Sequence, residues 1–260
     1  MGKQSVNWET YVNYAQLFNP LIGGAQKEAE ELRRDILTTD NTENYYKFTG
    51  KKYYISGSGN DCNDGLSPQT PFLTATKLDD IDLEYGDAVL FERNGIYRLQ
   101  HQITTVEGVI YGSYGEGEKP KILGSPKNYA EAVWHPAFGK DHVWWTAFPY
   151  HEACNIVFEK GKKFGLLKGD KDTWCKEYQF AHDLKHGVLY LYSEKGDPSK
   201  VYGDIEICPS NVAFSVPYDI SNVVIDNICV QYFAGGGVSG CARNNNISVT
   251  NCEIDTEPDD

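Results

Sequence analysis

Four side chains towards the C-terminal end, Asp226, Arg243, Glu253 and Asp255, have types and spacing that suit acid–base chemistry. A carboxyl group can give a proton to a leaving oxygen or take one from an attacking water. Cleavage of a glycosidic bond uses two such groups across the bond. Asp226 and Glu253 fall at outward positions of strand-like runs, with Gln231, Ser248 and Thr250 beside them, and Arg243 and Asp255 fall at the adjoining turns. The plainer alternative is that all of them are solvated surface of a strand-rich domain.

The outward assignment comes from a repeat. Residues 222–230, NVVIDNICV, and 246–254, NISVTNCEI, follow one pattern at a shift of 24. Val223 maps onto Ile247, Ile225 onto Val249, Ile228 onto Cys252 and Val230 onto Ile254, while Asn222 and Asn227 map onto Asn246 and Asn251. Successive side chains of a strand point to opposite faces, so the aliphatic set makes one inward face. Asparagine tolerates a left-handed backbone and bonds its own turn, and stacked copies form an amide ladder at a corner. One strand–turn–strand unit per repeat of this length predicts a β-solenoid. In such a stack Asp226 lies about one strand spacing, ~5 Å, from the position of Thr250.

Other residues of chemical interest are better explained by turns and packing. Asp61, Asn63 and Asp64 have the residue types of a calcium loop, but their order is not that of an EF-hand, and tight-turn chemistry accounts for them. Metal ligands therefore stay unassigned. His182, Asp183 and His186 are acid–base or metal types beside a hairpin strand, where a structural role is expected. Gly235-Gly236-Gly237 lacks the Lys-Ser/Thr sequel of a phosphate loop and fits a close passage of backbone. The seven cysteines contain no CxxC pair and read as packing residues, with Cys252 at an inward position of the repeat.

Composition narrows the partners. The chain has 260 residues and a net charge of −13, which argues against nucleic acid, because phosphate backbones attract basic surfaces. Any anionic polymer would need a local basic patch or a bridging cation. Tyrosine is abundant at 18 and aromatics make up 13%, which suits β-structure and surfaces that stack on sugar rings. No apolar run approaches a membrane span, and Met1-Gly2-Lys3-Gln4 opens no signal peptide.

The elements that must position these residues follow in order. Residues 7–38 are expected as a helical pair, with stripes at Trp8, Tyr11, Val12, Ala15 and Phe18 and then at Ala25, Ala29, Leu32 and Ile36. Thr38–Asn44 reads as a linker, and strands begin near Lys51. The stretch from about 129 to 204 reads as a β-rich insertion, with Trp134, Trp144, Trp145 and Phe148 clustered and a hairpin turning near Lys160-Gly161. The expected division is a helical extension over 1–44 and a β domain over 45–260.

Three stretches in the first half, YYISGSGNDCNDGLSPQTPFLT, GDAVLFERNGIYR and IYGSYGEGEKPKILG, resemble the opening of right-handed parallel β-helix proteins of the pectate-lyase-like superfamily. HGVLYLYSEKGDPSKVYGDIEI and SNVVIDNICVQYFAGGGVSGCARNNNISVTNCEI resemble its middle portion. The resemblance implies a mainly β, right-handed parallel β-helix and a carbohydrate-active protein, extracellular or at the cell surface. It implies a polysaccharide or oligosaccharide partner. The low basicity favours a glycoside hydrolase, requiring no cofactor, over a polysaccharide lyase, for which calcium is expected. A non-catalytic glycan-binding β-helix is the rival reading. A stack with two clear coils near residue 255 is expected to continue beyond residue 260, with catalytic residues among the later coils.

Overall fold

The computed structural model describes residues 24–168, 174–240 and 243–255. The first expected helical stripe, Trp8 to Phe18, lies outside the described residues, as do Cys241 and residues 256–260. Two compact units divide the chain, 1–39 and 40–260. In the first, residues 24–37 form one α-helix. Its side carries a Lys27–Glu31 pair at 3.8 Å, and at its end the Thr38 and Thr39 hydroxyls donate to the carbonyls of Arg34 and Asp35, each at 2.9 Å.

The second unit is mainly β and holds three wholly parallel sheets. The first orders Lys52–Ile55, Ala88–Glu92, Ile110–Tyr114, Val224–Asp226 and Ser248–Thr250. A second orders Ile96–Arg98, Lys121–Leu123, Cys229–Gln231 and Glu253–Asp255. The third pairs Ile103–Thr104 with Phe214–Ser215 and that with Val238–Ser239. From Ala88 onward the chain visits first, second and third sheet in turn and then returns to the first. The register sets Ile225 opposite Val249 and Val230 opposite Ile254, which is the 24-residue shift of the repeat.

Alternation explains the core. Val89, Tyr111 and Ile225 stand in one inward column, Ile55 and Phe91 in the next, and Ile122 and Val230 face them from the second sheet. The corners follow the asparagines. Asn222, Asn227, Asn246 and Asn251 all have left-handed backbone, with φ of 60°, 60°, 53° and 50°. At one corner the Asn246 amide donates to Asn222 Oδ1 at 2.7 Å, a rung of the expected ladder. At the other the two asparagines diverge: Asn251 donates to Asp226 Oδ1 at 2.8 Å and Asn227 to the Asp40 carbonyl at 2.6 Å. The glycine run behaves as a close passage, since a side chain at Gly235 would overlap the Asn211 backbone and one at Gly237 the Ile254 side chain.

Residues 40–46 differ from a free linker, because they lie on the outer face of the first sheet. Thr42 is fully buried there; its Oγ1 accepts from the Ser113 amide at 2.9 Å, and only glycine at position 112 leaves it room. The Asn41 amide donates to the Gly115 carbonyl at 2.8 Å, and the Tyr46 and Thr250 hydroxyls meet at 3.1 Å.

The insertion, spanning Tyr129 to Pro209, is built from two sheets of its own. One orders Leu166–Leu167, Gln179–Asp183, Val188–Tyr192, Val143–Ala147 and His135–Pro136; the other orders Lys163–Phe164, Ala153–Phe158 and Ile205–Pro209. The expected hairpin turns through Glu159, Lys160 and Gly161, all at positive φ. Tyr129, Trp134, Phe148 and Phe158 fill a core between the sheets. A fork-to-fork pair, Arg98 to Glu206 at 2.8 and 2.7 Å, ties the insertion to the second parallel sheet.

Candidate functional site

The four residues marked by the sequence do not share one open face. Asp226 points outward from the first sheet, as alternation requires, yet it is fully buried beneath residues 40–46. Its Oδ1 accepts from the Thr250 hydroxyl at 2.9 Å and from Asn251, so the carboxylate bonds the next repeat. Arg93, which donates to Asn41 Oδ1 and the Gly117 carbonyl at 2.9 Å each, places its positive charge near Asp226. Glu253 lies past the corner, on the second sheet, 3.4 Å from Lys119 Nζ. Asp255 ends the same strand, its backbone paired with Gln231. Arg243 is exposed at a turn, 3.8 Å from the equally exposed Asp219.

The secondary candidates resolve into internal bonding. Asp61 accepts from the amides of Leu73 and Thr74 at 2.8 and 2.9 Å and from the Thr74 hydroxyl at 2.8 Å. Asp64 accepts from the Thr70 hydroxyl at 2.7 Å and the Leu66 amide at 3.1 Å, bonds that hold its carboxyl below the usual range. Asn63 donates to the Pro71 carbonyl. No group of three or more His, Cys, Asp or Glu poised for a metal occurs among the described residues. His182 accepts from the Ala153 amide at 3.1 Å through Nδ1 and donates to the Phe148 carbonyl at 3.0 Å through Nε2. These partners fix the neutral tautomer, and burial lowers the pKa of the ring. His186 and Asp183 form an exposed pair at 2.7 Å.

An open cleft lies apart from these residues. It measures ≈ 530 Å³ and runs between Gln100, just past the second sheet, and the insertion, which contributes Pro149, Tyr150, His151, Glu152 and Leu184, with Ser210 just after it. Several contacts hold that wall in place. The Tyr150 ring packs edge-on against buried Phe148 at 5.2 Å, and the Ser210 amide donates to the Glu152 carbonyl at 2.8 Å. Packing and strand pairing thus fix the backbone while the His151 and Glu152 side chains stay exposed. Tyr150, Pro149 and Leu184 offer apolar faces, and Gln100, Ser210 and Glu152 offer hydrogen-bonding groups. Such a combination suits sugar rings, which have an apolar face and a rim of hydroxyls. No signal of position flagged these residues, because Gln100 and Tyr150 are 50 apart in sequence.

No family model and no curated protein matches the chain. Solved structures do match. One, described as XylC in complex with xylose, is 15% identical with a TM-score of 0.46, over 71% of this chain and 36% of that one. Another, a glycoside hydrolase, is 13% identical with a TM-score of 0.46, over 71% and 51%. A lacto-N-biosidase of family GH136 from Eubacterium ramulus is 18% identical with a TM-score of 0.38, over 94% and 38%. The chain spans about a third to a half of the length of these carbohydrate-active proteins. Among the described residues no helix is long and apolar enough to cross a membrane.

Proposed function

We propose that the chain is part of a right-handed parallel β-helix that degrades a polysaccharide by glycoside hydrolysis, with sugar bound in the cleft at Gln100 and Tyr150–Glu152. The β-helix reading is supported by the cyclic visit to three parallel sheets and by asparagines in register at the corners. Crossovers between parallel strands are right-handed in nearly all proteins.

The observation that carries the functional reading is the make-up of the cleft wall: an aromatic ring, amide and hydroxyl groups, and a carboxyl beside an imidazole, all reachable from solvent. In this assignment Glu152 protonates the leaving oxygen and His151 takes the proton of the attacking water, standing in for the second carboxylate that most glycosidases use. Among the described residues lining the cleft there is no Lys or Arg, which favours hydrolysis over base-catalysed elimination at a uronate. Asp226 and Glu253 hold successive strands together in this reading.

A second reading, glycan binding without turnover, is favoured by the insertion's outer surface. Phe138 is fully exposed at a hairpin tip, and His135, Trp145 and Tyr190 stand in one row across three strands, His135 against Trp145 at 4.6 Å.

A polysaccharide panel assayed for new reducing ends, unsaturated product and binding separates the readings. Hydrolysis is expected to give reducing ends without unsaturated product, and Glu152→Gln to lower the rate about 10²–10⁴-fold. Full activity in that variant would remove Glu152 from the mechanism. Unsaturated product would mark a lyase, and binding without turnover the second reading.

A further inference from the structure

Beside the cleft lies a second hollow of ≈ 260 Å³, and Gln100 lines both. One wall is the 3-10 helix Ala75–Asp80 with Ile81 and Leu83 after it; the other is Leu99, Ile103, Val106 and Tyr111. Leu99, Ile103 and Tyr111 belong to the buried core, whereas no residue of the helix is buried. The hollow is therefore a gap between the core and a thin covering turn. Protein interiors pack to crystal-like density, and voids larger than a water are few. Its lining is mixed: Leu78, Ile81, Leu99, Ile103, Val106 and Tyr111 give an apolar side, and Thr74, Thr76, Gln102 and Thr104 a polar one. An apolar space of about 150 Å³ is enough to admit benzene.

Its charged groups are already committed. Arg98, at the edge, is held in the fork with Glu206. His101 Nε2 lies 2.7 Å from Asp79 Oδ2, which joins the covering helix to the opposite strand's approach. Arg98 is thus already paired, and the apolar side leaves room for about one six-membered ring.

We propose that this hollow is a subsite for a single apolar ring carried on the saccharide in the cleft, so that the ligand is an aryl or aromatic-acyl sugar. The sugar half of this proposal rests on the reading of the cleft given above; the ring half rests on the hollow alone. Gln100 lines both spaces, so a ligand reaching from one to the other would pass beside it.

Three probes test it on the full chain by calorimetry: phenol, and the methyl and phenyl glycosides of whichever sugar the panel identifies. Leu78→Trp fills the hollow from the covering helix, and Ile81→Phe serves as a second filling variant should the first not fold. Saturable phenol binding, lost in the filled variant, is expected. The phenyl glycoside is expected to bind at least about tenfold more tightly than the methyl glycoside, and the filled variant to erase that difference while leaving the methyl glycoside unchanged. Equal binding of the two glycosides, or phenol binding untouched by filling, overturns the ring subsite and leaves the sugar reading intact. Phenol binding with neither glycoside bound overturns the sugar-linked form of the proposal and the cleft reading with it, while a ring site stands.

Discussion

Lys119 and Glu253 form an ion pair at 3.4 Å that reaches across an intervening strand. Lys119 precedes Lys121–Leu123 and Glu253 opens Glu253–Asp255, with Cys229–Gln231 between them. The two outer strands lie two strand spacings apart, about 10 Å, and the two side chains together bridge them. The Lys119 side chain is only 2% exposed and that of Glu253 20%. Burial pushes the ammonium pKa down, and the facing carboxylate opposes the shift. A residue with the type and position of a catalytic acid is thus tied to the stacking of three strands.

Removing one partner should therefore affect stability first. Glu253→Gln is expected to cost about 1.5–3 kcal/mol, read by urea unfolding. Replacing both partners by apolar residues, Lys119→Met with Glu253→Leu, should recover most of that loss, because a well-packed apolar pair can match a buried ion pair. A double variant less stable than Glu253→Gln would contradict this account.

The Arg98–Glu206 fork is expected to hold the insertion to the parallel stack. Glu206 is 3% exposed, and burial raises its pKa above the ordinary 4.5 against the pull of Arg98. Arg98→Met leaves that carboxylate unopposed at a cost of about 3–5 kcal/mol. Because the folded pKa lies above the unfolded one, the stability contribution is whole below about pH 4.5 and is lost as pH rises through the folded value. Unfolding of the variant at pH 4 and pH 7 should show the larger loss at pH 7.

His182 predicts the opposite dependence within the insertion. Burial lowers its pKa from 6.5, so both states are neutral above pH 6.5 and stability falls as the unfolded state protonates below it. His182→Phe should flatten this acid-side loss while destabilising at every pH, since the Ala153 amide and Phe148 carbonyl lose their partner. Thermal melts from pH 5 to 7.5 measure both effects.

The corner rung can be tested by its backbone. Asn246 holds φ of 53° and donates to Asn222. Asn246→Ala should cost about 1–2 kcal/mol for the left-handed conformation. Asn246→Gly, which removes the same amide without that strain, should cost less in the same unfolding measurement.

Local pattern accounts for much of this molecule. Alternating aliphatics in two nine-residue copies fixed which side chains of Val224–Asp226 and Ser248–Thr250 turn inward, because a strand has a period of two whatever surrounds it. Asparagines at the turns forecast left-handed corners, since few other residues adopt that backbone without strain. Alternation says that Asp226 points outward; it says nothing about what lies there. Residues 40–46, 180 or more positions earlier, cover it, so its solvent exposure was a long-range decision. The cleft is of the same kind: Gln100 and Tyr150–Glu152, 50 positions apart, line one space because the insertion folds back against the second sheet, where Arg98 also bonds Glu206. By itself the sequence determined strand direction and corner geometry, which depend on neighbours along the chain. Only the tertiary structure decided which outward faces are buried and which meet across a cleft, because that depends on packing between distant segments.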